Sequence, residues 1–201
     1  MRLSQYLIEE TTPAEDIIPI LRKKCGPFIR MLQRSESMYY RGLKGEYGKD
    51  NFILKKPHED RTPMSTPKLV HDKLNELFLE KFGWKVRNGV FCAKDSIIAS
   101  TYGRIHLIFG IGIFQYCWSP IYADMYLFLS GSSVKYANEL KPKHIKFLEM
   151  IVDGYQDKNI EDAPKGFEVS FLFPKGYYAL AKTKDNEATC NFVERILLKG
   201  K

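Results

Sequence analysis

Long hydrophobic runs are missing from this sequence. The longest, residues 105–114, is ten residues and contains His106, Gly110 and Gly112. A helix that crosses a bilayer needs about 20 apolar residues, so this run reads as a buried strand and no membrane is expected. Cysteine is sparse. Cys25, Cys92, Cys117 and Cys190 are scattered without a C-x-x-C pair, which argues against zinc or redox chemistry and for reduced thiols in a cytoplasmic compartment. His58, His71, His106 and His144 stand at no metal-ligand spacing, so no metal is expected. Glu9 and Glu10 fall where a signal peptide would need its apolar region. Phosphate-loop, nucleophile-elbow and zinc-protease motifs are all absent, and Gly110-Ile111-Gly112 lacks the third glycine of a dinucleotide fingerprint.

What is present suits a globular chain. The 201 residues are 44% hydrophobic and 27% charged, the composition of one domain or two very small ones. A chain of this length buries roughly 70% of its unfolded surface and folds without a metal or disulfide. Tyr, Phe and Trp at 13% exclude disorder. The 31 basic against 24 acidic residues leave a formal charge of +7, which favours polyanionic partners and is equally an ordinary route to solubility. The Lys-rich stretches 49–61 and 135–146 are interleaved with Asp50, Glu59 and Glu139, as on a solvated face.

The pattern of elements is α+β. N-terminal helices (17–24, then 28–33, separated by Cys25-Gly26-Pro27) precede a mixed or antiparallel split β core with flanking helices. Residues 1–36 form a helical segment and 37–201 an α+β domain, together one compact unit. Strands are expected at 37–42, 89–93, 105–109, 114–118, 167–173 and 177–181. Helices are expected over 67–82, 96–102 and 143–152, and the tail 186–198 is compatible with helix or strand. The stretch 43–66, with Gly45, Gly48, Pro57 and Pro63, reads as a long polar loop of functional interest.

Three segments could carry chemistry. Tyr39-Tyr40-Arg41-Gly42 ends an aromatic strand with an arginine whose fork suits phosphate, and with a glycine that admits close approach; a strand-end arginine reaching for solvent has the same pattern. Phe91-Cys92-Ala93-Lys94-Asp95 runs from a strand into a helix start, where free N–H groups attract anions, or where a strand merely meets a helix. Glu168 alternates with Phe167, Val169 and Phe171, which puts it on the face opposite those residues, in a cleft or in solvent.

In their order along the chain these segments resemble the arginine–serine–glutamate layout of the ADP-ribosyltransferase superfamily. Tyr40-Arg41-Gly42 resembles its first motif. Residues 89–94 with Ala99 and Tyr102-Gly103 resemble the second, and Glu168-Val169-Ser170-Phe171-Leu172 with Pro174 and Tyr177-Tyr178 the third. Cys92-Ala93-Lys94 stands where the family has Ser-Thr-Ser, and Gly166 where its arginine-modifying members have Glu or Gln. The whole chain also resembles uncharacterised tailed-bacteriophage proteins through Tyr40-Arg41-Gly42, Arg61-Thr62-Pro63-Met64-Ser65-Thr66-Pro67 and Phe82-Gly83-Trp84-Lys85-Val86-Arg87.

The resemblance implies a phage mono-ADP-ribosyltransferase, acting in the host cytoplasm or packaged in a virion. It would move ADP-ribose from NAD to a host protein or nucleic-acid acceptor. Arg41 and Glu168 would be the catalytic pair. Tyr40, Arg41, Gly42, Phe91, Cys92 and Tyr102 would bind NAD, with Tyr102 or a neighbouring aromatic stacking on the nicotinamide. Two other classes fit the same composition: a basic virion-associated or nucleic-acid-binding protein without enzymatic activity, and an inhibitor of a host factor.

Overall fold

The computed structural model describes residues 16–44, 52–56, 60–61 and 66–199. The proposed helix start at Pro13 lies outside them. Helix α1 (Ile17–Lys24) buries Ile17 and Leu21. Helix α2 (Gly26–Ser35) follows at once, with Pro27 in its first turn, where the missing N–H costs nothing. Strands β1 (Tyr40–Leu43) and β2 (Phe52–Lys55) lead to α3 (Lys68–Phe82). Gly83 ends α3 at φ 76°, a left-handed conformation that glycine adopts without strain. Next come β3 (Val90–Ala93), α4 (Ser96–Ser100), β4 (Arg104–Gly110), β5 (Gln115–Trp118) and α5 (Met125–Ser130). Both short helices have an aspartate N-cap: Asp95 accepts from Ile97 N and Asp124 from Tyr126 N, each at 2.7 Å. Helix α6 (Pro142–Asp153), strands β6 (Glu168–Leu172) and β7 (Tyr177–Ala181), and helix α7 (Glu187–Lys199) complete the chain. The fold class is α+β, with N-terminal helices leading into an antiparallel sheet flanked by helices.

The seven strands among the described residues belong to one sheet in the order β2-β7-β4-β1-β3-β6-β5, every pairing antiparallel. Each face has its own core. On one face, Phe28 of α2 meets Phe114, Phe171 and Phe173 edge-on at 5.1, 5.4 and 5.4 Å between centroids. Ile17, Leu21, Val169, Cys190 and Val193 join that cluster, so α1, α2 and α7 pack on the sheet. On the other face lie Val70, Leu74 and Phe78 of α3, Met125 and Leu129 of α5, and Leu148 and Ile151 of α6, with Trp84. Among the described residues no helix is long and apolar enough to cross a membrane.

The structure corrects the stretch 43–66. Phe52–Lys55 is an edge strand, paired with β7 from Phe52↔Leu180 to Lys55↔Tyr177. Four residues are too few to show a period of their own, and only the neighbouring strand gives their backbone groups partners. Helix α5 is likewise an addition, and the tail is helical. Helix α3 starts on Pro67, with no side-chain cap among the described residues.

Gly42 is fixed by packing. A Cβ there would collide with the Ala99 carbonyl oxygen and stand 2.7 Å from Gly103 N, so the end of α4 lies directly on β1. Gly42→Ala is expected to destabilise the protein by about 2 kcal/mol or more, a fall of roughly 4–8 °C in thermal midpoint for a domain of this size. An unchanged midpoint would contradict this packing.

Candidate functional site

The site is built on the second face of the sheet, around the ring of Phe91. Phe91 pairs with Ser170 and Ala93 with Glu168, so these four residues project from one face of β3 and β6. Beside them the 3-10 turn Val86–Asn88 carries Arg87. Side-chain contacts hold that turn: Ser170 Oγ donates to Val86 O at 2.9 Å, and Arg87 N donates to Asn75 Oδ1 of α3 at 2.9 Å. Asn75 Nδ2 also donates to Asn88 Oδ1 at 2.9 Å. Gly89 permits the close approach, since a Cβ there would meet Ser170 Oγ.

Three arginines converge on this platform. The guanidinium carbons of Arg61 and Arg87 lie 4.6 and 4.8 Å from the Phe91 ring centroid, inside cation–π range. Arg41, from β1, points Nη1 at Phe91 O at 3.4 Å. Arg41 Nε, Arg61 Nη1 and Arg87 Nε are shielded from solvent and have no hydrogen-bond partner among the described residues. Glu168 is the first residue of β6, and its backbone N–H donates to Ala123 O at 2.9 Å. The next residue, Asp124, accepts from the Tyr102 hydroxyl at 2.8 Å. That contact ties the end of α4 to the start of α5.

The electrostatics follow from this crowding. Burial pushes the Glu168 carboxyl up to about 7; Arg87 opposes the shift, Asp124 adds to it, and Arg61 and Arg41 oppose it. Burial lowers Arg61 to about 10, and the like charges of Arg41 and Arg87 act in the same direction. Burial of the Tyr102 hydroxyl and its bond to Asp124 raise the phenol above its ordinary value. Near neutral pH the site therefore holds a carboxyl that can give or take a proton, beside concentrated positive charge.

Of the residues singled out in the sequence, Arg41, Phe91, Tyr102 and Glu168 come together here. Tyr40 and Cys92 turn away. Tyr40 donates to Glu194 of α7 at 3.1 Å, on the opposite face. Cys92 is buried in the core beneath α2, where burial pushes its thiol up to about 12. Gly42 meets the chain's own backbone at Ala99 and Gly103, so the close approach it permits is internal. The start of α4 is occupied as well, by the Asp95 carboxylate, and Lys94 donates to the carbonyls of Ile160, Glu161 and Ala163 as a structural clamp. Among the described residues no cluster of His, Cys, Asp and Glu could hold a metal ion. Arg61, Arg87 and Asp124 are site residues that sequence reasoning missed. Arg61 and Arg87 occur in the phage-like motifs, but nothing local to either announces that they share one ring.

Comparison with protein-family models, curated proteins and solved structures finds no match to this chain.

The Glu168 shift has a signed consequence for stability. Its carboxyl holds a proton more tightly folded than unfolded, so folding takes up a proton between pH 4.5 and about 7. Its ionisation therefore costs stability above pH 7 and nothing below 4.5. Glu168→Gln is expected to stabilise the fold at pH 8 by about 1–3 kcal/mol, with the gain vanishing at pH 4.5 in paired thermal melts. A loss of stability at pH 8 would mean that the arginines hold the carboxylate more firmly than burial penalises it.

Proposed function

We propose that this protein is an ADP-ribosyltransferase that moves ADP-ribose from NAD to a protein or nucleic-acid acceptor. The observation that carries the reading is the meeting of Arg41 and Glu168, from the first and third motifs, beside Phe91 of the second. Strands β1, β3 and β6, which bear the three motifs, are successive neighbours in the sheet. Glu168 opens its strand. A phage origin, with action in the host cytoplasm or packaging in a virion, belongs to the same proposal and rests on the resemblance alone.

The chemistry would be mostly positioning and charge. Arg41 clamps the pyrophosphate through its guanidinium. Tyr102, 48% exposed at the rim and braced by Asp124, stacks on the nicotinamide. The bond between the ribose C1′ and the nicotinamide nitrogen breaks, and neutral nicotinamide leaves with the electron pair. Glu168, as carboxylate, stabilises the oxocarbenium-like ribose and takes the proton of the acceptor as the new bond forms at C1′. Tyr40 and Cys92 contribute through the strands that carry them, since their side chains face elsewhere.

Incubation of the full chain with a host lysate and labelled NAD tests this. A labelled macromolecule and free nicotinamide are expected, with Glu168→Gln lowering transfer by about 10²-fold or more while NAD still binds. Transfer should rise with pH through a single ionisation near 7, as the Glu168 carboxylate forms. Intact NAD, together with binding to DNA that falls steeply with salt, would favour the non-enzymatic nucleic-acid-binding reading instead.

A further inference from the structure

We propose that Arg61 and Arg87, seated on the ring of Phe91, form a phosphate subsite whose occupant is a phosphate monoester. Both guanidiniums lie over the ring, at 4.6 and 4.8 Å. Stacking occupies the flat face of a guanidinium and leaves its in-plane N–H fork for oxygen acceptors. Arg87 is held in advance, by Asn75 on its backbone N–H and by Ser170 on the preceding carbonyl, so little ordering is left for a ligand to impose. Among the described residues Arg61 Nη1 and Arg87 Nε are buried donors without partners, a cost that a folded protein leaves standing where a ligand is expected.

The charge selects the ligand. Arg61 and Arg87 lie on the Phe91 ring with Arg41 at the Phe91 carbonyl, and the repulsion of Arg61 by Arg41 and Arg87 is part of what lowers Arg61. A phosphate monoester carries about −1.5 to −2 at neutral pH and three acceptor oxygens, which matches the two guanidiniums on Phe91. A diester carries a single charge and has two oxygens to offer. The subsite stands apart from the transferase reading, because NAD has no phosphate monoester. In a transferase it would hold a phosphate of the acceptor; in a binding protein it would hold the end of a nucleotide.

Calorimetric titration of the full chain with AMP, adenosine, the methyl ester of AMP and inorganic phosphate tests the subsite. AMP is expected to bind at least tenfold more tightly than adenosine or the methyl ester. Arg61→Gln and Arg87→Gln should each erase that preference. Arg87→Lys retains the charge without the fork and should weaken AMP severalfold, with thermal midpoints checking that each variant folds. Inorganic phosphate competing as well as AMP would assign the phosphate group alone, and weaker competition would add contacts to the nucleoside; both support the subsite. AMP binding no tighter than its methyl ester, or a preference that survives in both Gln variants, would overturn it. Absence of transfer from NAD with AMP selectivity intact would count against the transferase and leave the subsite in place.

Discussion

The pleat of β6 is the constraint on which both core and site depend. Val169 and Phe171 point to one side and are fully buried against the helices α1, α2 and α7. Glu168 and Ser170 point to the other by the same two-residue period. Ser170 holds the carbonyl of Val86, and with it the turn that carries Arg87. A slip of one residue in the pairing of β6 with β3 would send Glu168 into the aromatic core and detach that turn. The aromatic packing of Phe28, Phe171 and Phe173 therefore fixes the chemistry on the far side of the sheet.

The site is polar where the fold can bear it. A carboxyl and three guanidiniums partly removed from water are costly unless they balance one another. Here the balance is partial: Glu168 is pushed up despite three nearby cations, and Arg61 is pushed down despite a nearby carboxyl. Both shifts follow from burial outweighing the attraction between the opposite charges. The structural basic residues behave differently. Lys94 is saturated by three carbonyls, and its place in the second motif is explained by the loop it clamps.

Much of this was legible in the sequence. The glycine punctuation at Gly83, the proline at Pro27 and the alternation around Glu168 each translate into the element they imply, because the signals are local to the backbone. Arg41, Phe91, Tyr102 and Glu168 were recognisable as candidates from their motifs. The short strand β2 was not, since four apolar-rich residues in a polar stretch have no structure until β7 pairs with them. The opposite orientations of Tyr40 and Arg41 were implied by the strand period, yet which of them faces the site depends on what covers each side of the sheet.

Capping, turn chemistry and periodicity act over a few residues, so the α+β class, the main helices and strands, and the side of β6 on which Glu168 lies are written locally along the chain. Long-range packing is what makes Arg61 and Arg87 share the ring of Phe91, Asp124 brace Tyr102, and Gly42 admit α4 rather than a ligand. Those pairings join residues far apart in the chain, and they come into register only when antiparallel strands from both halves of the chain close one sheet.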